Sequence, residues 1–127
     1  MARIKFYTAS LFSEKESSLA LALQVEDNLG WESNAQWLKG GEEGLTRTQI
    51  SNLDLTDIEE TDRLIIVSHQ RGTPKPGGGR WVEFGYALGQ GKQCYVVGPY
   101  ENVFCHSALV KVFPTVGCLI SDLKGAN

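Results

Sequence analysis

Glu83 is the carboxylate whose setting most invites chemistry. It follows three consecutive glycines, Gly77 to Gly79, and Arg80, and it lies between Trp81 and Tyr86 at the expected start of a helix. The free amides of a helix N-terminus favour negative charge, by roughly 0.3–1 kcal/mol when exposed and more when partly buried. Glu83 is therefore expected to stay ionised in an apolar setting and to act as a nucleophile or an electrostatic stabiliser. The plainer alternative is a first-turn Glu that only complements the dipole. Upstream, Asp54, Asp57, Glu59, Glu60 and Asp62 precede an apolar run. Asp62 is expected at the strand entrance in a structural role, and Glu59 and Glu60 on a solvated face. Spacing alone does not separate Asp54 from Asp57. The Gly77–Arg80 segment is a possible phosphate cradle of backbone N–H groups and a guanidinium, as are Ser10 and Ser13 beside the first helix. No G-K-[S/T] follows the glycines, so this is not a Walker loop, and a surface Arg on a loop is the alternative. His69 and His106 stand isolated, with no acidic ligand spacing, and no metal site is expected.

These residues must be held by regular elements. Residues 3–9 read as a first strand. Ser13-Glu14-Lys15-Glu16 has the spacing of a capping box, before a helix over Leu19–Leu29 that Gly30 would stop. Residues 33–38 read as a short second strand, and Thr46–Glu60 as a second helix. Arg63–Val67 is a continuous apolar run without alternation, which marks a strand buried on both faces. The Gly- and Pro-rich stretch 68–79 reads as a loop. A helix over Trp81–Gln90, a strand over Cys94–Val97, a strand over Val110–Phe113 and a helix over Thr115–Lys124 complete the chain. Strands alternating with helices imply an open α/β sheet, doubly wound, mostly parallel, of four or five strands. Ligands in such sheets sit beyond the carboxyl ends of the strands. That places the loops after Tyr7, Val67 and Val97 near any site.

The chain has 127 residues, enough for one domain, with 42% hydrophobic and 21% charged residues. Such a balance is that of a globular protein. The net charge of −3 argues against binding a nucleic-acid polymer, which normally requires a basic excess. No apolar run is long enough for a membrane span, and the N-terminus lacks a signal-peptide core. Cys94, Cys105 and Cys118 contain no C-x-x-C pair, so a reducing, cytoplasmic location without disulfides is expected. Glycine is in excess, with 14 residues.

The segment WVEFGYALGQGK, residues 81–92, resembles the E-x-G-Y-A-x-x-x-G-K segment of the nucleoside 2-deoxyribosyltransferase family. Asp54 and Asp62, with seven residues between them and followed by an apolar strand, are similar to that family's paired acids. Tyr7-Thr8-Ala9-Ser10 is similar to its K-x-Y-L-A-x strand end. Gly79–Glu83 together with Glu101-Asn102-Val103-Phe104 resembles a small branch called nucleoside deoxyribosyltransferase-like. The resemblance implies a Rossmann- or flavodoxin-like fold, with Glu83 as nucleophile and Asp54 as proton donor and acceptor for the base. Tyr7 would pack on the sugar or hold Glu83 by a hydrogen bond. Ser10, Gly79, Arg80, Trp81 and Asn102 become candidate substrate contacts. The implied partner is a small nucleoside or nucleotide in a homo-oligomer, with no cofactor. Three readings stay open: deoxyribosyl transfer between bases, hydrolysis of nucleoside 5′-monophosphates, and nucleotide binding without turnover. The chain departs from the family at Gly77, where many members carry an Asp that recognises the base. It also lacks the usual Asn-containing tail, although Asn127 is its last residue.

Overall fold

Leu64, Ile65 and Ile66 run in sequence without a polar interruption because helices cover both faces of their strand. All three are fully buried in the computed structural model, which describes residues 3–72 and 77–125. Their strand, β3 (Arg63–Val67), is the centre of a five-stranded parallel sheet. The others are β1 (Lys5–Ala9), β2 (Glu32–Ser33), β4 (Gln93–Val97) and β5 (Val110–Phe113). Their spatial order is β2-β1-β3-β4-β5, so the winding direction reverses between β1 and β3. This is the flavodoxin-like order, and a doubly wound sheet opens a crevice at such a reversal. Helices α1 (Lys15–Leu29) and α4 (Val116–Gly125) pack together, as do α2 (Arg47–Glu59) and α3 (Gly78–Gly89). Burying one aliphatic side chain of this core contributes about 1.5–3 kcal/mol.

Local chemistry sets the element ends. Gly30 ends α1 with a φ of 70°, and its N–H bonds to the Glu26 carbonyl. Thr46 and Gln49 form a reciprocal capping box at the start of α2. At the other end of α2, the Lys92 ammonium donates to the carbonyls of Ile58, Glu59 and Thr61 at 2.6, 2.8 and 2.7 Å. A cation there satisfies carbonyls that the helix leaves without partners. Asp62 enters β3 as a structural residue: its carboxylate accepts from the Lys5 N–H at 2.9 Å and pins β3 to β1.

Three expectations about elements are corrected. Ser13 does not cap α1; a 3-10 turn over Phe12–Glu14 precedes that helix, whose N-cap, Glu14, makes no side-chain cap bond. The expected strand over residues 33–38 is two residues of β2 followed by a 3-10 turn, Gln36–Lys39. Specific side-chain bonds win there over strand pairing, because the Trp37 indole N–H donates to the Thr8 carbonyl at 3.0 Å and Asp57 binds Gln36. Finally, α3 begins at Gly78 rather than Trp81. Glu83 therefore lies in the second turn, beyond the reach of the terminal amides.

Candidate active site

A cavity of about 460 Å³ opens at the carboxyl ends of β1 and β3, where the winding reverses. Tyr7 comes from inside β1, and Ser10 to Ser13 from the loop after it. Trp37 comes from the 3-10 turn after β2, Glu42 from the loop that follows, and Ile50 and Asp54 from α2. Gly77, Gly79, Arg80 and Glu83 complete the lining from the entrance and first turns of α3.

The chemistry centres on Glu83. The fully buried Tyr7 hydroxyl donates to Glu83 Oε2 at 2.7 Å. Burial, together with the negative charges of Glu83 and Asp54, raises the phenol far above its ordinary range, so Tyr7 remains a donor at every physiological pH. Burial pushes Glu83 itself up to about 7, against the lowering effect of the Tyr7 bond, while the charge of Glu42 pushes it further up. The expectation that Glu83 rests fully ionised on helix amides is thus corrected, since desolvation outweighs a dipole that fades beyond the first turn. Asp54 rises to about 9 through burial first, then a hydrogen bond with Glu42 and the charges of Glu83, Glu42 and Asp57. Counted as carboxylates, Asp54 Oδ1 and Glu42 Oε1 would both be buried acceptors without a donor. A proton on Asp54 supplies that donor. The cavity therefore sets two carboxyl groups apart: Glu83 ionises first, and Asp54 keeps its proton. Such a divergence suits one group to attack and the other to protonate.

Asp57, which the spacing could not distinguish from Asp54, turns the other way. It is buried and accepts from the Gln36 N–H at 3.1 Å and the Gln36 side-chain amide at 2.8 Å, so it anchors the turn that carries Trp37.

The remaining candidates fall into two groups. Ser10, Gly79 and Arg80 line the cavity, and Ser10 shares a hydrogen bond with Ser18. Arg80 is 4% exposed; it binds Glu101 Oε2 at 2.8 Å and the Val67 carbonyl at 3.3 Å, and its Nε is buried without a partner. Its charge is largely met within the protein, and the alternative of a surface Arg does not hold. Trp81 and Asn102 do not line the cavity. The Trp81 indole donates to Glu101 Oε2 at 3.0 Å, and Asn102 caps a 3-10 turn over Val103–His106. Glu101 also accepts from the His69 N–H at 2.6 Å. Burial alone would raise Glu101, but the donors from Arg80, His69 and Trp81 outweigh it and hold the carboxyl below its ordinary value. This network fixes the entrance of α3 against the loops after β3 and β4.

Gly77 occupies the position where the resembled family often carries Asp. Its φ is 136°, and a Cβ there would overlap Leu11 Cδ2. Glu42, Trp37, Phe12 and Ile50 were not found by sequence reasoning. The acidic pair inside Gly40-Gly-Glu-Glu-Gly44 was the one visible trace of Glu42. Asn127 and the proline-rich part of the loop before α3, residues 73–76, lie outside the described residues.

Fold and cavity define an open, all-parallel α/β protein with carboxyl groups gathered at its topological switch point. Neither a protein-family model nor a curated protein matches the sequence. Among solved structures, the chain is similar to the Clostridium botulinum CMP N-glycosidase BcmB, with a TM-score of 0.63 and 19% identity. The match covers 94% of this chain and 98% of that one. At this identity the likeness establishes a shared fold. Among the described residues no helix is long and apolar enough to cross a membrane.

Proposed function

We propose that the protein cleaves the N-glycosidic bond of a small nucleoside or nucleotide, with Glu83 as nucleophile and Asp54 as proton donor. The observation that carries this reading is the Tyr7–Glu83 hydrogen bond at 2.7 Å, inside a cavity that Asp54 also lines. The fold shared with a CMP N-glycosidase supports it. Scission of the bond develops positive charge on the sugar, which a buried carboxylate stabilises. Glu83 attacks C1′ as the C1′–N bond breaks, and the bonding pair leaves on the base. Asp54 delivers its proton to that base. Water, or a second base, then attacks C1′ of the glycosyl–Glu83 ester, returning a proton to Asp54 and freeing Glu83. Two displacements give net retention, as in retaining glycosidases. Tyr7 holds Glu83 in line and favours its ionised form.

Hydrolysis and deoxyribosyl transfer differ only in the second acceptor. A 5′-phosphate would meet Gly77 and Gly79 at the entrance of α3 and the Ser10 and Ser13 hydroxyls. That favours the nucleoside 5′-monophosphate form of the reaction over deoxyribosyl transfer between bases. Incubating the protein with nucleosides, deoxynucleosides and their 5′-monophosphates, with and without an acceptor base, and quantifying released base tests the proposal. Glu83→Ala should lose at least about 10³-fold in rate. Equal rates for wild type and variant would remove Glu83 from the chemistry, and tight binding without any base release would identify a binding module.

A further inference from the structure

Arg80 and Glu83 stand three residues apart on α3. Side chains at that spacing are neighbours on a helix, with Cβ atoms roughly 5–6 Å apart, and opposite charges so placed attract. The two do not pair. Arg80 donates to Glu101 Oε2 at 2.8 Å and to the Val67 carbonyl at 3.3 Å, while Glu83 takes the Tyr7 hydroxyl at 2.7 Å. Among the described residues the ion pairs are Arg80–Glu101 and His69–Glu14. Glu101, on the loop after β4, is held by donors alone. Its Oε1 takes the His69 N–H at 2.6 Å, and its Oε2 takes the Trp81 indole at 3.0 Å beside the Arg80 bond. His69 is tied in turn to Glu14 through Nε2 at 2.9 Å. Arg80 is buried, and its Nε lies at the cavity edge, where a Cβ added to Gly77 would stand 3.6 Å away. A cation so desolvated needs a counter-charge. The fold supplies it from Glu101 and not from the carboxylate one turn along the same helix.

We propose that Glu101 is a positioning residue of the active site: by holding the Arg80 guanidinium, it withholds that cation from Glu83 and from the sugar carbon that Glu83 attacks. This role rests on the glycosidic reading above and says how the charge of the same site is set. Two effects on the reaction follow from withholding the cation. A carboxylate paired with a guanidinium is stabilised before it attacks, and stabilisation that the transition state does not keep raises the barrier. Positive charge also develops at C1′ as the C1′–N bond breaks, and a free cation beside that carbon would oppose it. The groups that act on Glu83 are Tyr7 from β1, Asp54 from α2 and Glu42 from the turn after Trp37, and none of them is a cation. Arg47, at the exposed start of α2, borders an outer groove between α2 and α3 that Glu83 also reaches. No ion pair joins Arg47 to Glu83 among the described residues.

The test reads the titration of Glu83 in two ways, by the acid limb of kcat/KM and by carboxyl-carbon NMR of the free protein, which needs no turnover. Glu101→Gln keeps the shape of the side chain and removes the counter-charge, so Arg80 can turn to Glu83. The Glu83 titration, near pH 7 in wild type, should then fall by about one pH unit or more. At pH 8, kcat should fall by about 10-fold, the factor that one such unit represents. Glu101→Gln combined with Arg80→Met removes both charges and should restore the wild-type titration. Trp81→Phe loosens the same carboxylate but leaves Arg80 paired, and the Glu83 titration should stay in place. Circular dichroism checks the fold of each variant. Arg80→Met alone leaves Glu101 untouched and should not move Glu83; a rise there shows that the cation already acts on Glu83 and overturns the inference. An unmoved titration in Glu101→Gln, or a fall that persists in the double variant, also overturns it and leaves Glu83 chemistry standing. A titration that falls and recovers as expected, in a protein that releases no base from any substrate, retains the charge assignment and sinks the glycosidic reading. An unmoved titration with no base release overturns the two together.

Discussion

Glu83 and Asp54 differ in proton affinity because of what surrounds each carboxyl. Asp54 faces two other acids, Glu42 and Glu83, while Glu83 has the Tyr7 phenol as a donor. The active form has Glu83 ionised and Asp54 protonated. The rate should therefore fall below about pH 7 as Glu83 takes a proton, and above about pH 9 as Asp54 loses one. Tyr7→Phe removes the bond that lowers Glu83, so the acid limb should move to higher pH while the alkaline limb moves much less. A kcat/KM profile of wild type and variant measures both limbs, and an unmoved acid limb would show that Tyr7 does not set the ionisation of Glu83. The motifs around Tyr7, Asp54 and Glu83 were legible in the sequence, since each sits in a short, recognisable segment. Asp57 could not be told from Asp54, because residues three apart on a helix lie only about 60° apart around its axis. Packing against Gln36 decides between them. Glu42 was hidden for a different reason: a turn, not a helical or strand period, brings it to the cavity.

At the scale of elements, the strands were readable where both faces are buried, as in Arg63–Val67, and unreadable where side chains replace sheet pairing. Residues 33–38 illustrate the second case, since the Trp37–Thr8 and Asp57–Gln36 bonds bend the chain after two paired residues. The entrance of α3 shows the same limit. Its glycines were visible, but neither the earlier start of the helix nor the tie of Arg80 to Glu101 could be read from them. Gly77 combines a positive φ with close packing on Leu11, so it is not a vacancy awaiting the Asp found elsewhere. Gly77→Asp should destabilise the protein by about 1–3 kcal/mol, measured by urea unfolding, and should lower activity rather than widen base use. A variant as stable as wild type would show that the loop can retreat from Leu11.

Across the whole molecule, the site weakens the fold that carries it. Asp54 has a folded-state pKa raised from 3.8 to about 9. Its contribution to stability is fully present below the unfolded value and is lost as pH rises through the folded one. Glu83 adds a loss in the same direction, complete nearer pH 7. Wild type should therefore lose melting temperature between about pH 5 and pH 9. Asp54→Asn, which cannot ionise, should lose less and be more stable by a few degrees at the alkaline end. Parallel melting curves for the two proteins would contradict this account. The homo-oligomer anticipated from the sequence remains a proposal. It draws support from Val82, which is 67% exposed one residue before Glu83, and from Phe12, which is 70% exposed at the cavity rim.

The lining of the cavity comes from a strand, three loops and two helices scattered from Tyr7 to Glu83. No fragment of the chain presents that set of groups, so a ligand that enters the cavity binds the native state and not the unfolded one. Each bound molecule then acts as a brace. A compound present at 100 times its dissociation constant adds about 2.7 kcal/mol to stability. Nucleosides and nucleotides can accordingly be ranked by how far each raises the unfolding temperature, before any turnover assay is chosen. A true occupant should lose its stabilising effect when Trp37→Ala opens the wall, whereas a compound that protects both proteins equally is held elsewhere.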